Sequence, residues 1–228
     1  MSVKLVVFDL AGTTVKDNND VSKAFQSALK KYGYNIPLEL INPIMGYEKN
    51  EAITMMLDTH EPDASKITTD LIRNIHKEFV GEMIHHYRFT EGIESLPDVE
   101  QTFAALQKMG VQVGINTGFS RDIAEAIVNR LQWREKNLIN YLVGSDEVKQ
   151  GRPFPFMIEK MMKEGNISDA HDVVKVGDTE VDVREGQNTG CRFVIGVTTG
   201  AFSRAELEPY HPTHIIDNIA DVLDIIKS

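Results

Sequence analysis

Acidic, hydroxyl and cationic side chains fall just after apolar runs along this chain. Lys4-Leu5-Val6-Val7-Phe8 ends at Asp9, and Val111–Asn116 ends at Thr117-Gly118. Tyr141-Leu142-Val143 is followed by Gly151-Arg152-Pro153, and Val173–Gly177 ends at Asp178, with Asp182 four residues further on. A carboxylate can act as a nucleophile or hold a hard cation through oxygen. A hydroxyl and a guanidinium bind anions. Asp178 and Asp182 are one helical turn apart, a spacing that lets both face one cation. Taken singly, an aspartate after a buried strand is ordinarily a helix N-cap. Four such features in order, each after a strand, point to one edge of a sheet where ligands bind.

The elements that must position these residues follow from periodicity. The four apolar runs at 4–8, 111–116, 173–177 and 192–197 read as strands buried on both faces, with shorter strands at 141–143 and 214–216. Amphipathic stretches at 98–109, 120–132, 154–165, 180–189 and 217–227 read as helices between them. The alternation predicts an α/β fold, a Rossmann-like parallel sheet covered by helices. About 100 residues separate the first strand from the second, far more than one crossover needs. Residues 19–32, 48–58 and 64–87 in that gap carry helical spacing and no strand pattern. The expected organisation is a core of residues 1–14 and 92–228 and an inserted α-helical cap of residues 15–91. Linkers near 14–18 and 88–93 would let the cap swing over the sheet edge.

Composition narrows the partners. A net charge of -10 disfavours nucleic acid and anionic membrane surfaces. Cys191 is the single cysteine, so no internal disulfide can form. The N-terminal apolar stretch is too short for a signal peptide, and no stretch approaches the roughly 20 apolar residues of a membrane helix. A cytoplasmic location is expected. A homodimer is compatible with the sequence, which does not specify an assembly.

Asp9-Leu10-Ala11-Gly12-Thr13-Thr14, Asn116-Thr117-Gly118, Gly151-Arg152-Pro153-Phe154-Pro155 and Val176-Gly177-Asp178-Thr179-Glu180-Val181-Asp182 together resemble the haloacid dehalogenase superfamily. The resemblance covers the whole chain, cap included. It implies a Mg²⁺-dependent hydrolase acting on a small phosphorylated or phosphonate substrate. In that scheme Asp9 takes the phosphoryl group. The metal is held by Asp9, the carbonyl of Ala11, Asp178 and Asp182. Thr117 with neighbouring N–H groups and Arg152, where most of the superfamily has lysine, bind phosphate. Gly12, Thr13 and Gly118 line the substrate.

One position narrows the resemblance. The usual motif has a second aspartate two residues after the nucleophile, which protonates the leaving oxygen of an ester. Here it is Ala11. Losing general acid catalysis costs about 10²–10⁴ in rate. The phosphonatase branch, typified by phosphonoacetaldehyde hydrolase, has alanine there, arginine in a Gly-Arg-Pro-x-Pro motif, and a cap lysine in Met-Gly-x-x-Lys. This chain carries Met45-Gly46-Tyr47-Glu48-Lys49. Such a lysine condenses with an aldehyde to an iminium, and the carbon leaving phosphorus departs as an enamine without needing an acid. The amine must be partly neutral, so burial or Arg152 should depress its pKa. Two positions depart from that branch: Ala52 stands where it has histidine, and Phe119 where it has tyrosine.

Other readings stay open. Lys49 could be a solvated lysine opening a cap helix. The chain could hydrolyse ordinary phosphate monoesters without an imine, or be a non-catalytic binding protein. His60, His76, His85 and His86 lack metal-ligand spacing. Met55, Met56, Met161 and Met162 read as packing, and Asp17-Asn18-Asn19-Asp20 as linker and helix cap.

Overall fold

The computed structural model describes residues 3–227. Six parallel strands form one sheet in the order β3-β2-β1-β4-β5-β6. They are β1 (Leu5–Phe8), β2 (Gln112–Thr117), β3 (Tyr141–Gly144), β4 (Val173–Gly177), β5 (Phe193–Val197) and β6 (His214–Ile216). Strand β1 sits centrally, paired with β2 on one side and β4 on the other. Its four residues are all buried because both faces are covered. Leu5 and Val7 pack with Met157, Ile158 and Met161, whereas Val6 and Phe8 pack with Phe103, Leu106 and Ile127. This explains why the strand reads as an unbroken apolar run.

The helices are α1 (Asp20–Lys31), α2 (Leu38–Ile41), α3 (Lys49–His60), α4 (Thr69–Phe89), α5 (Val99–Lys108), α6 (Arg121–Leu131), α7 (Phe156–Glu164), α8 (Glu180–Thr189), α9 (Arg204–Leu207) and α10 (Val222–Ile225). The first four lie between β1 and β2, with no strand among them in the described residues. Their interior is built on a four-residue repeat: Ile75, Phe79, Met83 and Tyr87 of α4 are all buried. Phe79 stacks on Phe25 of α1 at 4.2 Å, and Phe79 and Tyr87 reach Phe119 of the sheet edge at 6.3 and 6.2 Å. Burying each such side chain contributes roughly 1.5–3 kcal/mol, so Phe119 ties the helical segment to the sheet.

Two expectations need correction, and two short helices were not foreseen. The predicted helix 64–87 begins at Thr69, because the Thr68 hydroxyl accepts from Leu71 N at 3.2 Å and caps it there; residues 64–66 form a separate 3-10 turn. The stretch 217–227 contains only the 3-10 turn Ile219–Asp221 and α10. The short helices α2 and α9 carry too few residues for periodicity to reveal them. No helix among the described residues is long and apolar enough to cross a membrane.

Candidate active site

In this strand order the direction of winding reverses between β1 and β4, and ligands bind at the carboxyl ends of strands flanking such a point. Asp9 follows β1 there and Asp178 follows β4. Asp9 N still donates to Val176 O at 3.1 Å, which fixes the residue at the sheet edge. The chain then turns sharply: Thr13, Thr14 and Val15 all donate backbone N–H to Leu10 O. The turn places Gly12 at φ 88°, where a Cβ would lie 2.6 Å from Asp178 Oδ2. Glycine is required there by conformation and by space.

Asp9, Asp178 and Asp182 are buried, with one oxygen of each within 4.8 Å of the others. Asp178 accepts from Thr13 Oγ1 at 2.8 Å and from Ala201 N at 2.7 Å. Burial, then the charges of Asp9 and Asp182, push its carboxyl up to about 8. Burial also raises the Asp9 carboxyl against the pull of Arg152. Although burial opposes it, Arg152 and Lys175 hold Asp182 below the usual carboxylate range. Asp182 reaches this place otherwise than by helical spacing. Asp178 precedes α8, and Asp182 lies in the first turn, accepting from Thr179 Oγ1 at 2.6 Å. A Cβ on Gly177 would sit 2.2 Å from Asp182 Cγ, so that glycine makes the approach possible.

Arg152 lies behind Asp9 and does not line the cavity above it. Its Nη2 is 2.7 Å from Asp9 Oδ1 and donates to Asn116 O at 2.7 Å, while Nη1 is 2.9 Å from Asp182 Oδ1. The structure thus supplies charge balance for Asp9 but does not bring the guanidinium to the cavity surface. Three partners were not singled out from sequence. Lys175 Nζ lies 2.9 Å from Asp182 Oδ1 and donates to Asn116 Oδ1 at 2.7 Å. Asn116 Nδ2 donates to both Glu185 oxygens at 2.8 and 2.9 Å. A lysine inside an apolar buried strand was the available signal, since it must be paired. Glu185, three residues after Asp182 on α8, shares its face.

Four buried carboxylates (Asp9, Asp178, Asp182 and Glu185) thus meet two buried cations, Arg152 and Lys175. The Ala11 carbonyl accepts no hydrogen bond in the described residues, although its neighbours do. An oxygen-only donor set with excess negative charge fits a hard cation, which would relieve the strain on Asp178.

Above this cluster is a cavity of about 120 Å³, lined by Asp9, Ala11, Gly12, Thr117, Gly118 and Phe119 from the sheet edge. Met45, Gly46 and Lys49 line it from the helical segment. Of the remaining expected residues, Thr13 is buried beneath and holds Asp178. Thr117 Oγ1 accepts from Phe119 N at 3.2 Å, which shapes the loop. The two layers touch through glycines. A Cβ on Gly118 would lie 2.5 Å from Tyr47 O, and one on Gly46 (φ 94°) 2.6 Å from Thr179 Oγ1.

Lys49 opens α3 and is only 3% exposed. Its Nζ sits 5.1 Å from the Phe119 ring and 5.5 Å from the Phe25 ring. It forms no hydrogen bond or ion pair in the described residues, and Ala52, one turn on, is buried and apolar. Burial pulls its pKa down to about 8; Asp9 opposes this and Arg152 adds to it. The solvated reading of Lys49 is therefore excluded.

The haloacid dehalogenase-like hydrolase family model matches residues 6–196. A bifunctional phosphonoacetaldehyde hydrolase/aminoethylphosphonate transaminase of Clostridioides difficile (strain 630) is 32% identical over 82% of this chain, which spans only 30% of that protein. A phosphonoacetaldehyde hydrolase of Bacillus cereus (strain G9842) is 29% identical over 88% of this chain and 78% of its own. Among solved structures, a phosphonoacetaldehyde hydrolase-like protein from Oleispira antarctica superimposes with a TM-score of 0.85 at 22% identity, covering 100% of this chain and 92% of that one. A predicted phosphoglycolate phosphatase from Haemophilus somnus 129PT gives 0.79 at 22% identity, covering 98% and 97%. With the match spanning the carboxyl edge from β1 to β5, the chain belongs to the haloacid dehalogenase-like hydrolase family.

Proposed function

We propose that the chain is a phosphonatase-like hydrolase that cleaves a small carbonyl-bearing phosphonate, with Asp9 as nucleophile and Lys49 as the amine that activates the substrate. Residues 15–91 act as the cap over a core of residues 1–14 and 92–228. The observation that carries the reading is a buried lysine, free of hydrogen bonds and ion pairs in the described residues, facing the same small cavity as Asp9, with Ala11 beside it in place of a proton donor. Lys49 in its neutral form attacks the carbonyl, one proton is taken up from solvent and water leaves, giving an iminium. Asp9 attacks phosphorus, and the electron pair of the C–P bond moves into the iminium to give an enamine. No acid is needed at residue 11. Water then releases orthophosphate from Asp9 and the carbonyl product from Lys49. Arg152 and Lys175, held by Asn116 and Glu185, favour the ionised forms of Asp9 and Asp182 against their burial. Mg²⁺ would be held by Asp9, the Ala11 carbonyl and Asp178, with Asp182 alongside; when bound it neutralises charge on the phosphoryl oxygens.

Orthophosphate release from phosphonoacetaldehyde should require Asp9, and Asp9→Asn should abolish it in a folded protein. Retention of a tenth of the wild-type rate would sink the assignment. A second reading, hydrolysis of a phosphate monoester without an imine, draws on Ala52 and Phe119, neither of which can donate or accept a proton for Lys49. Turnover of such an ester by Lys49→Arg would favour it.

A further inference from the structure

The cavity has a second polar end that the chemistry above does not use. Asp17, Ser22 and Asn42 line it from the helical segment. Ser22 is 2% exposed and its hydroxyl donates to Asn42 Oδ1 at 2.8 Å, which leaves the Asn42 amide nitrogen without a protein partner in the described residues. Asp17 Oδ1 caps α1, accepting from Asp20 N at 2.7 Å and Val21 N at 3.4 Å. Its other oxygen receives no hydrogen bond from the described residues. Asp17 and Lys49 line the same small cavity, so one small molecule in it can meet both. A cap needs only one oxygen, and a half-buried carboxylate with a free one asks for a donor.

We propose that the substrate carries a hydrogen-bond donor, a hydroxyl or an ammonium, on the carbon beyond its carbonyl, and that Asp17 with the Ser22–Asn42 pair selects for it. This rests on the phosphonatase reading. Phosphonoacetaldehyde itself has only hydrogen beyond the carbonyl and would leave these groups unmatched. The substrate class is then a 2-oxoalkylphosphonate with a polar 3-substituent. With water it gives orthophosphate and the corresponding methyl ketone: the C–P bond breaks, an O–P bond forms, and one proton of the water ends on carbon.

The test compares kcat/KM for 3-hydroxy-2-oxopropylphosphonate, 3-amino-2-oxopropylphosphonate and the apolar isostere 2-oxobutylphosphonate. At least one polar substrate should exceed the isostere by about tenfold or more, the scale of one hydrogen bond to a charged group. The comparison of the two polar substrates distinguishes hydroxyl from ammonium. Asp17→Asn keeps an acceptor for the α1 cap, and it should shrink that ratio, as should Ser22→Ala. The ratio is measured within each variant, so loss of folded protein does not alter it. A wild-type ratio near one, or a ratio unchanged in Asp17→Asn, overturns the inference. If phosphonoacetaldehyde is trapped on Lys49 but no preference appears, only this inference fails. If no phosphonate is turned over or trapped, the reading beneath it fails as well.

Discussion

Lys49→Met should make the protein more stable while removing its proposed chemistry. The wild-type amine is 3% exposed, stands at the N-terminus of α3, and lies over the Phe25 and Phe119 rings with no hydrogen bond or ion pair in the described residues. A cation is disfavoured there by burial and by the helix dipole. A fall in pKa from 10.5 to about 8 corresponds to about 3 kcal/mol against the charged form. The sign follows from proton counting. Below pH 8 both folded and unfolded chains carry the proton, and the folded state bears the whole cost. Between 8 and 10.5 the folded chain has released it first, so stability rises with pH, and above 10.5 the cost is gone. Methionine keeps the length of the stem and removes the charge. Urea unfolding should therefore show Lys49→Met more stable by about 3 kcal/mol near pH 7 and by only about 1.4 kcal/mol near pH 9.5. A variant less stable than wild type at pH 7, or a gain that does not shrink with pH, would refute the reasoning.

Further outcomes follow from the same geometry. Gly118→Ala should force the 45–49 turn off the sheet edge, because its Cβ would lie 2.5 Å from Tyr47 O; kcat/KM should drop by about tenfold or more, and a wild-type value would contradict the close contact. Asp178→Ala should raise the Mg²⁺ concentration for half-maximal activity by at least about tenfold, and full activity in chelator would contradict the metal assignment. The rate of borohydride capture of the aldehyde on Lys49 should climb with pH and level off above about 8, as the neutral amine accumulates. A plateau reached only near 10.5, the ordinary lysine value, would show that burial does not tune it.

The sheet was legible because its central strands are buried on both faces and stand out as largely apolar runs, with Asp9, Thr117 and Asp178 at the ends of β1, β2 and β4. Asp9, Thr117 and Asp178 could be found by that rule alone. The site behind them could not. Arg152, Lys175, Asn116 and Glu185 form one network only because β2, β4, α8 and the loop after β3 converge, and pairing across 36 to 69 residues leaves no local pattern. The spacing of Asp178 and Asp182 suggested a helical turn, whereas a capping contact with Thr179 and the space over Gly177 do the placing. Burial of Lys49 was expected from its motif, with a solvated lysine as the alternative, but the Phe25 and Phe119 rings that enclose it come one from each layer and leave no sign in the local sequence. Asp17-Asn18-Asn19-Asp20 was read as linker and helix cap, and Asp17 does accept from the first amides of α1, but its second oxygen becomes visible only where α1 meets the cavity.

The most direct test of the account is borohydride reduction in the presence of phosphonoacetaldehyde, followed by peptide mass mapping. The account predicts irreversible loss of activity and a reduced two-carbon adduct on Lys49, absent in Lys49→Arg, whose guanidinium keeps the charge but forms no imine. Undiminished activity with no adduct, together with turnover of phosphonoacetaldehyde no faster than by Lys49→Ala, would contradict it.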